Sequence, residues 1–130
     1  MLPRAPGDRK MKRILVVDND AGVRQMLKVA LQDLNFSVST AESGNEALEI
    51  YRSQAIDFVL LDMQMPDMEG KKTLESLKNI DSGVICCFMS GSENITPDEL
   101  ARLGAVGFFQ KPFSLEKVKQ LILSHLGEDT

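Results

Sequence analysis

The sequence predicts an α/β protein built on a doubly wound, five-stranded parallel sheet with helices on both faces. Three observations carry this. Short runs of Val, Ile, Leu and Phe recur along the chain, too short for helices, and read as strands buried on both faces. Segments with apolar residues at helical spacing alternate with them, several opened by capping sequences. No linker or low-complexity stretch divides the 130 residues, so one domain of right-handed crossovers is expected.

The elements follow in order. Residues 1–12 carry two Pro, one Gly and scattered Arg and Lys without periodicity, and read as a disordered leader or vector remnant. The folded domain is expected over 13–127, with 128–130 as a tail. Ile14 to Val17 is a buried strand ending in Asp18-Asn19-Asp20. The helix after it has Val23, Met26, Leu27, Ala30, Leu31 and Leu34 spaced for one face, and Asp20 is placed to cap it. Phe36 to Thr40 alternates, as a half-exposed edge strand should. Ser43-Gly44-Asn45-Glu46 is a capping box for a helix with Ala47, Leu48 and Tyr51 inward.

Phe58 to Leu61 is the third strand and ends abruptly in Asp62; Pro66 and Gly70 punctuate the loop after it. A helix over 71–80 anchors on Leu74 and Leu77. Val84 to Met89 is the fourth strand, ending in Ser90-Gly91. Thr96-Pro97-Asp98-Glu99 opens a short helix running to about Leu103. Gly107 to Gln110 is the last strand, ending at Lys111-Pro112. Ser114 caps a final helix with Leu115, Val118, Ile122 and Leu126 inward.

Composition narrows the function. An apolar fraction of 43% and a charged fraction of 26% are those of a soluble globular protein. A net charge of −4 gives no electrostatic case for nucleic-acid binding. No apolar run approaches the roughly 18 residues that a membrane span requires, and no signal peptide opens the chain. Cys86 and Cys87, adjacent on a strand, point to opposite faces and read as buried free thiols, which suits a reducing cytoplasm. His125 is the only histidine, which excludes a His-based metal site or triad.

Four strand ends carry polar groups: Asp18, Asp62, Ser90 and Lys111. In a doubly wound sheet these ends share one edge, where ligands bind. Singly, each has a bland reading: Asp18 a turn residue, Asp62 or Ser90 a cap, Lys111 a solvated charge. Together they suit phosphoryl transfer. A carboxylate accepts a phosphoryl group only where the accumulating negative charge is neutralised, by a divalent cation and a fixed one. Asp18 and Asp62 offer the hard oxygens Mg²⁺ prefers, Ser90 a hydroxyl and Lys111 a point charge. Asp62 is the candidate nucleophile.

Val-Val-Asp-Asn-Asp, Leu-Leu-Asp-Met-Gln-Met-Pro-Asp-Met-Glu-Gly, Phe-Met-Ser-Gly and Gln-Lys-Pro-Phe together resemble the four signatures of the response-regulator receiver domain of two-component signalling, across about residues 13–126. The resemblance implies a flavodoxin-like fold of strand order 2-1-3-4-5. It implies phosphorylation of Asp62 by a histidine kinase or histidine phosphotransfer protein, with Mg²⁺ held by Asp18, the second acidic position and the backbone carbonyl of Gln64. Such a domain catalyses only its own phosphorylation and dephosphorylation, and otherwise is not an enzyme. Ser90 takes the family's switch-hydroxyl position, Phe108 its switch aromatic and Lys111 its lysine, with a cis Lys111–Pro112 bond. The helix-4, strand-5, helix-5 face is then the surface offered to an effector or a second copy.

One position departs from the pattern. Where the family has a second acid that contacts the metal, this chain has Asn19. An amide oxygen brings no charge; Asp20 is a possible substitute, with its capping role in competition. Two other readings remain in view. Asn19 suits a degenerate receiver that binds partners without phosphate. Asp18-Asn19-Asp20 faintly resembles the nucleophile motif of a haloacid-dehalogenase-type phosphatase, with Asp18 attacking, although a flap insertion and a late acidic pair are lacking.

Overall fold

In a computed structural model, residues 11–92 and 94–127 are described; the expected tail at 128–130 and most of the expected leader lie outside them. The strands are β1 (Arg13–Val17), β2 (Ser37–Ala41), β3 (Phe58–Asp62), β4 (Cys86–Ser90) and β5 (Gly107–Gln110). The helices are α1 (Ala21–Gln32), α2 (Gly44–Ser53), α3 (Gly70–Ile80), α4 (Pro97–Leu103) and α5 (Leu115–Leu126). All pairings are parallel, in the order β2-β1-β3-β4-β5. The expected flavodoxin-like architecture is the one found.

The sheet separates two apolar layers, because successive strand residues point to opposite faces. Leu15, Val17, Val59, Leu61, Cys86 and Phe88 face Ala47 and Leu48 of α2 and Leu74 and Leu77 of α3. Ile14, Val16, Phe58, Leu60, Cys87 and Met89 face Leu27 and Leu31 of α1 and Val118 and Ile122 of α5. The two cysteines therefore lie on opposite faces, buried and free. Burial pushes both thiols up, Cys87 to about 12, so they stay neutral.

The helix starts follow their capping residues. Asp20 accepts from the amides of Gly22 and Val23, Ser43 from Glu46, Thr96 from Glu99 and Ser114 from Lys117. Three expectations are corrected. Met26 is 43% exposed, because Leu27 and Leu31 take the inward stripe of α1 and leave Met26 on its flank. The β4 ladder begins at Cys86 rather than Val84, although the Ile85 carbonyl already accepts from Val59. β2 starts after Phe36, and Ser37 to Thr40 are all half-buried instead of alternating, since an edge strand is partly covered on both sides. Among the described residues no helix is long and apolar enough to cross a membrane.

Candidate functional site

Parallel register brings the strand ends level. Val17 pairs with Leu61, Asp62 with Met89 and Ser90 with Gln110, so Asp18, Asp62, Ser90 and Lys111 leave the sheet at one edge. The backbone locks this alignment: the Lys111 amide donates to the Ser90 carbonyl at 2.7 Å, and Met63 donates to Met89 at 2.9 Å. The Lys111–Pro112 bond is cis, as the resemblance implied. Asp18 and Ser90 are fully buried, and Asp62 is 3% exposed.

Lys111 stands between the two carboxylates. Its Nζ lies 2.7 Å from Asp18 Oδ2 and 3.8 Å from Asp62 Oδ2. Asp18 Oδ1 also accepts from the Asp20 amide at 2.9 Å, and Asp62 Oδ1 from the Gln64 amide at 3.3 Å. Burial pushes the Asp62 carboxyl above its usual range and the negative charge of Asp18 adds to this; the Gln64 amide and the Lys111 ammonium pull the other way. Two buried carboxylates thus share one ammonium. That shortage of positive charge, with hard oxygen donors, fits a divalent cation. Asp18 and Asp62 are the two carboxylates at this edge that could hold it; among the described residues no group of three or more His, Cys, Asp or Glu is placed to hold a metal ion.

Asn19 and Gln64 are exposed and line a cleft of about 330 Å³ with Met63, Met65, Pro66 and Glu69. Asp20 caps α1, its Oδ1 accepting from the amides of Gly22 and Val23 at 2.8 and 3.4 Å. The Ser90 hydroxyl accepts from the Ser92 amide at 3.3 Å. Phe108 is half-buried on the α2/α3 face of the sheet, among partly buried residues that include Leu100 and Leu103 of α4.

Several site residues were not legible in the sequence. Arg24 donates to the Asp18 carbonyl at 2.7 Å, which pins the β1–α1 turn from one helical turn after Asp20. The Asp67 carboxylate accepts from the amides of Gly44 and Asn45 at 3.0 and 2.9 Å, capping α2 from the β3–α3 loop. Those amides hold its carboxyl below the usual range. Ser92 donates to the Gln64 side chain at 2.9 Å, joining the loops after β3 and β4. Asp67 sits after a proline, where a turn is read, but nothing local says that it reaches another helix.

The comparisons with known proteins agree with this geometry. The family model described as response regulator receiver domain matches residues 14–123. The chain is 36% identical over 113 residues to the chemotaxis protein CheY of Bacillus subtilis, covering 85% of this chain and 93% of that one. It is 30% identical over 116 residues to the sporulation initiation phosphotransferase F of the same organism, covering 88% and 94%. The response regulator protein TrrA of Thermotoga maritima, solved in complex with Mg²⁺ and BeF, superposes with a TM-score of 0.78 at 29% identity, covering 88% and 98%. The chain belongs to the response-regulator receiver domain family.

Proposed function

We propose that this domain takes a phosphoryl group onto Asp62 from a histidine kinase or histidine phosphotransfer protein, with Mg²⁺ bound. The observation that carries the reading is a nearly buried carboxylate beside a second one, with a single lysine between them. A carboxylate oxygen of Asp62 attacks the donor phosphorus; an O–P bond forms as the donor's bond to phosphorus breaks, and the electron pair leaves with the donor. Lys111 neutralises one phosphoryl oxygen, and the Ser90 hydroxyl donates to another. The metal supplies further charge neutralisation when bound. Beyond its own phosphorylation and dephosphorylation the domain has no catalytic task. The site works in the cytoplasm, where buried reduced thiols persist.

With Mg²⁺ and acetyl phosphate, the protein is expected to gain one acid-stable, base-labile phosphoryl group, and Asp62→Asn none. Failure of the unaltered protein to gain any favours the phosphate-independent interaction module that Asn19 suggests. Asn19→Asp is expected to tighten Mg²⁺, because hard cations reward charged oxygens. Equal or looser binding in a titration places Asn19 outside the coordination shell.

The output under this reading is the surface formed by α4, β5 and α5, offered to an effector or a second copy. Phosphate on Asp62 draws the Ser90 hydroxyl inward, and Phe108 follows toward α4. Ser in place of Thr loosens that linkage, and Phe in place of Tyr leaves packing alone to favour the inward ring. Its half-buried position fits a shallow equilibrium. NMR of the Phe108 ring, with and without beryllofluoride, is expected to show a population shift; one unmoved environment removes this aromatic from the readout.

A further inference from the structure

Helix α4 is seven residues long and none of them is buried. A helix this short has little stability of its own, so its contacts decide where it lies. Its C-terminal end is fixed by the backbone. Gly104, left-handed at φ 77°, caps it, and two residues on the Val106 amide donates to the Cys86 carbonyl at 2.8 Å. The Lys78 stem lies against the same turn, where a Cβ on Gly104 would meet Lys78 Cε at 2.6 Å. The N-terminal end is tied across to α3 by charge, with Lys71 Nζ 2.9 Å from Glu99 Oε2. The pairs Lys72–Glu75 and Arg102–Glu99, at 3.6 and 4.0 Å, each stay within one helix, whereas Lys71–Glu99 joins two.

We infer that the Lys71–Glu99 ion pair is a latch: it holds the N-terminal end of α4 against α3 in the unphosphorylated domain and so opposes the switch of the α4–β5–α5 face. The inference rests on the switch reading above and deepens it. Lys71 is a fixed anchor, because it follows Gly70, whose amide donates to the Met63 carbonyl at 2.9 Å just beyond Asp62. Phe108 packs in the same apolar layer as Leu100 and Leu103 of α4, so a ring moving inward requires α4 to yield. The side chains of Lys71 and Glu99 are 38% and 28% exposed, so water screens the pair in part and it biases the equilibrium without locking it. Its effect on the switch is the amount by which it is stronger in the resting than in the switched state.

The test is a double-mutant cycle on four proteins: unaltered, Glu99→Gln, Lys71→Met and the double variant. Two readouts are taken without phosphate. One is amide hydrogen exchange in α4; the other is the position of the Phe108 ring resonances between their resting values and those in beryllofluoride. Glu99→Gln is expected to speed α4 exchange and to raise the ratio of switched to resting Phe108, each about two- to fivefold, the size of a partly exposed pair. Removing an acid from the first turn of α4 also weakens its fit to the helix dipole, and the cycle separates that effect. In the Lys71→Met background the same change is expected to act by less than about 1.5-fold, since the partner is already gone. Unchanged α4 exchange in Glu99→Gln, or an equal effect in both backgrounds, overturns the inference. Faster α4 exchange beside unaltered Phe108 populations overturns it too, because the pair then holds α4 without opposing the switch. If beryllofluoride leaves the Phe108 ring of the unaltered protein unmoved, the switch reading itself fails and the latch falls with it.

Discussion

Lys111→Met is expected to destabilise the fold by about 3 kcal/mol and to slow phosphoryl acceptance roughly 100-fold. The stability loss follows from Asp18, which is fully buried and keeps a single amide donor once the ammonium 2.7 Å away is gone. Breaking a buried pair from one side strands the other charge, and that costs more than the pair contributes. Asp62 loses the ammonium 3.8 Å away as well. The expected rate loss has a separate origin, because in the proposed function the same ammonium neutralises the accepted phosphoryl group. Urea unfolding in EDTA reads the first effect. Asp18→Asn is expected to recover most of it in the Lys111→Met background, where the stranded charge has been removed, without recovering phosphorylation. A loss below about 1 kcal/mol shows that the ion pair is not what compensates Asp18.

Gly70→Ala is expected to cost about 1–3 kcal/mol, as overpacking does, and to impair phosphorylation beyond that loss. A Cβ at this position sits 2.6 Å from the Asp62 carbonyl oxygen and 2.6 Å from Met63 Cα. Both are backbone atoms at the end of a central strand, so no flexible side chain can yield. The displaced peptide is the one that aims Asp62. Gly44→Ala makes the useful comparison, since its Cβ meets Thr73 Oγ1 at 2.7 Å and the Met68 side chain at 3.0 Å. It is expected to lose stability while largely sparing phosphorylation. Equal phosphorylation in Gly70→Ala and the unaltered protein contradicts this role.

Gly70 also marks how far the sequence could be read. A glycine after proline in a loop is visible as punctuation, but the requirement here is close approach to the Asp62–Met63 peptide, which only the packed structure shows. The strand ends were legible because apolar runs that stop in Asp18, Asp62, Ser90 and Lys111 are local patterns, and parallel register does the rest. The four motifs made the family legible too. Contacts between distant loops were not. Asp67 reaching α2 and Ser92 reaching Gln64 depend on where two crossovers place their connections. Met26 was misplaced for a related reason: a helical stripe read from spacing is wider than the part of α1 that the sheet and α5 cover. Asn19 was legible as a departure from the family's motif.

The claim on which everything turns is that Asp62, and no other carboxylate, accepts the phosphoryl group. Its most direct test is to phosphorylate the protein with acetyl phosphate and Mg²⁺, reduce the acyl phosphate with borohydride and locate the resulting homoserine by peptide mass spectrometry. The account predicts homoserine at position 62 alone. Homoserine at position 18, where a phosphatase-like nucleophile stands, contradicts it.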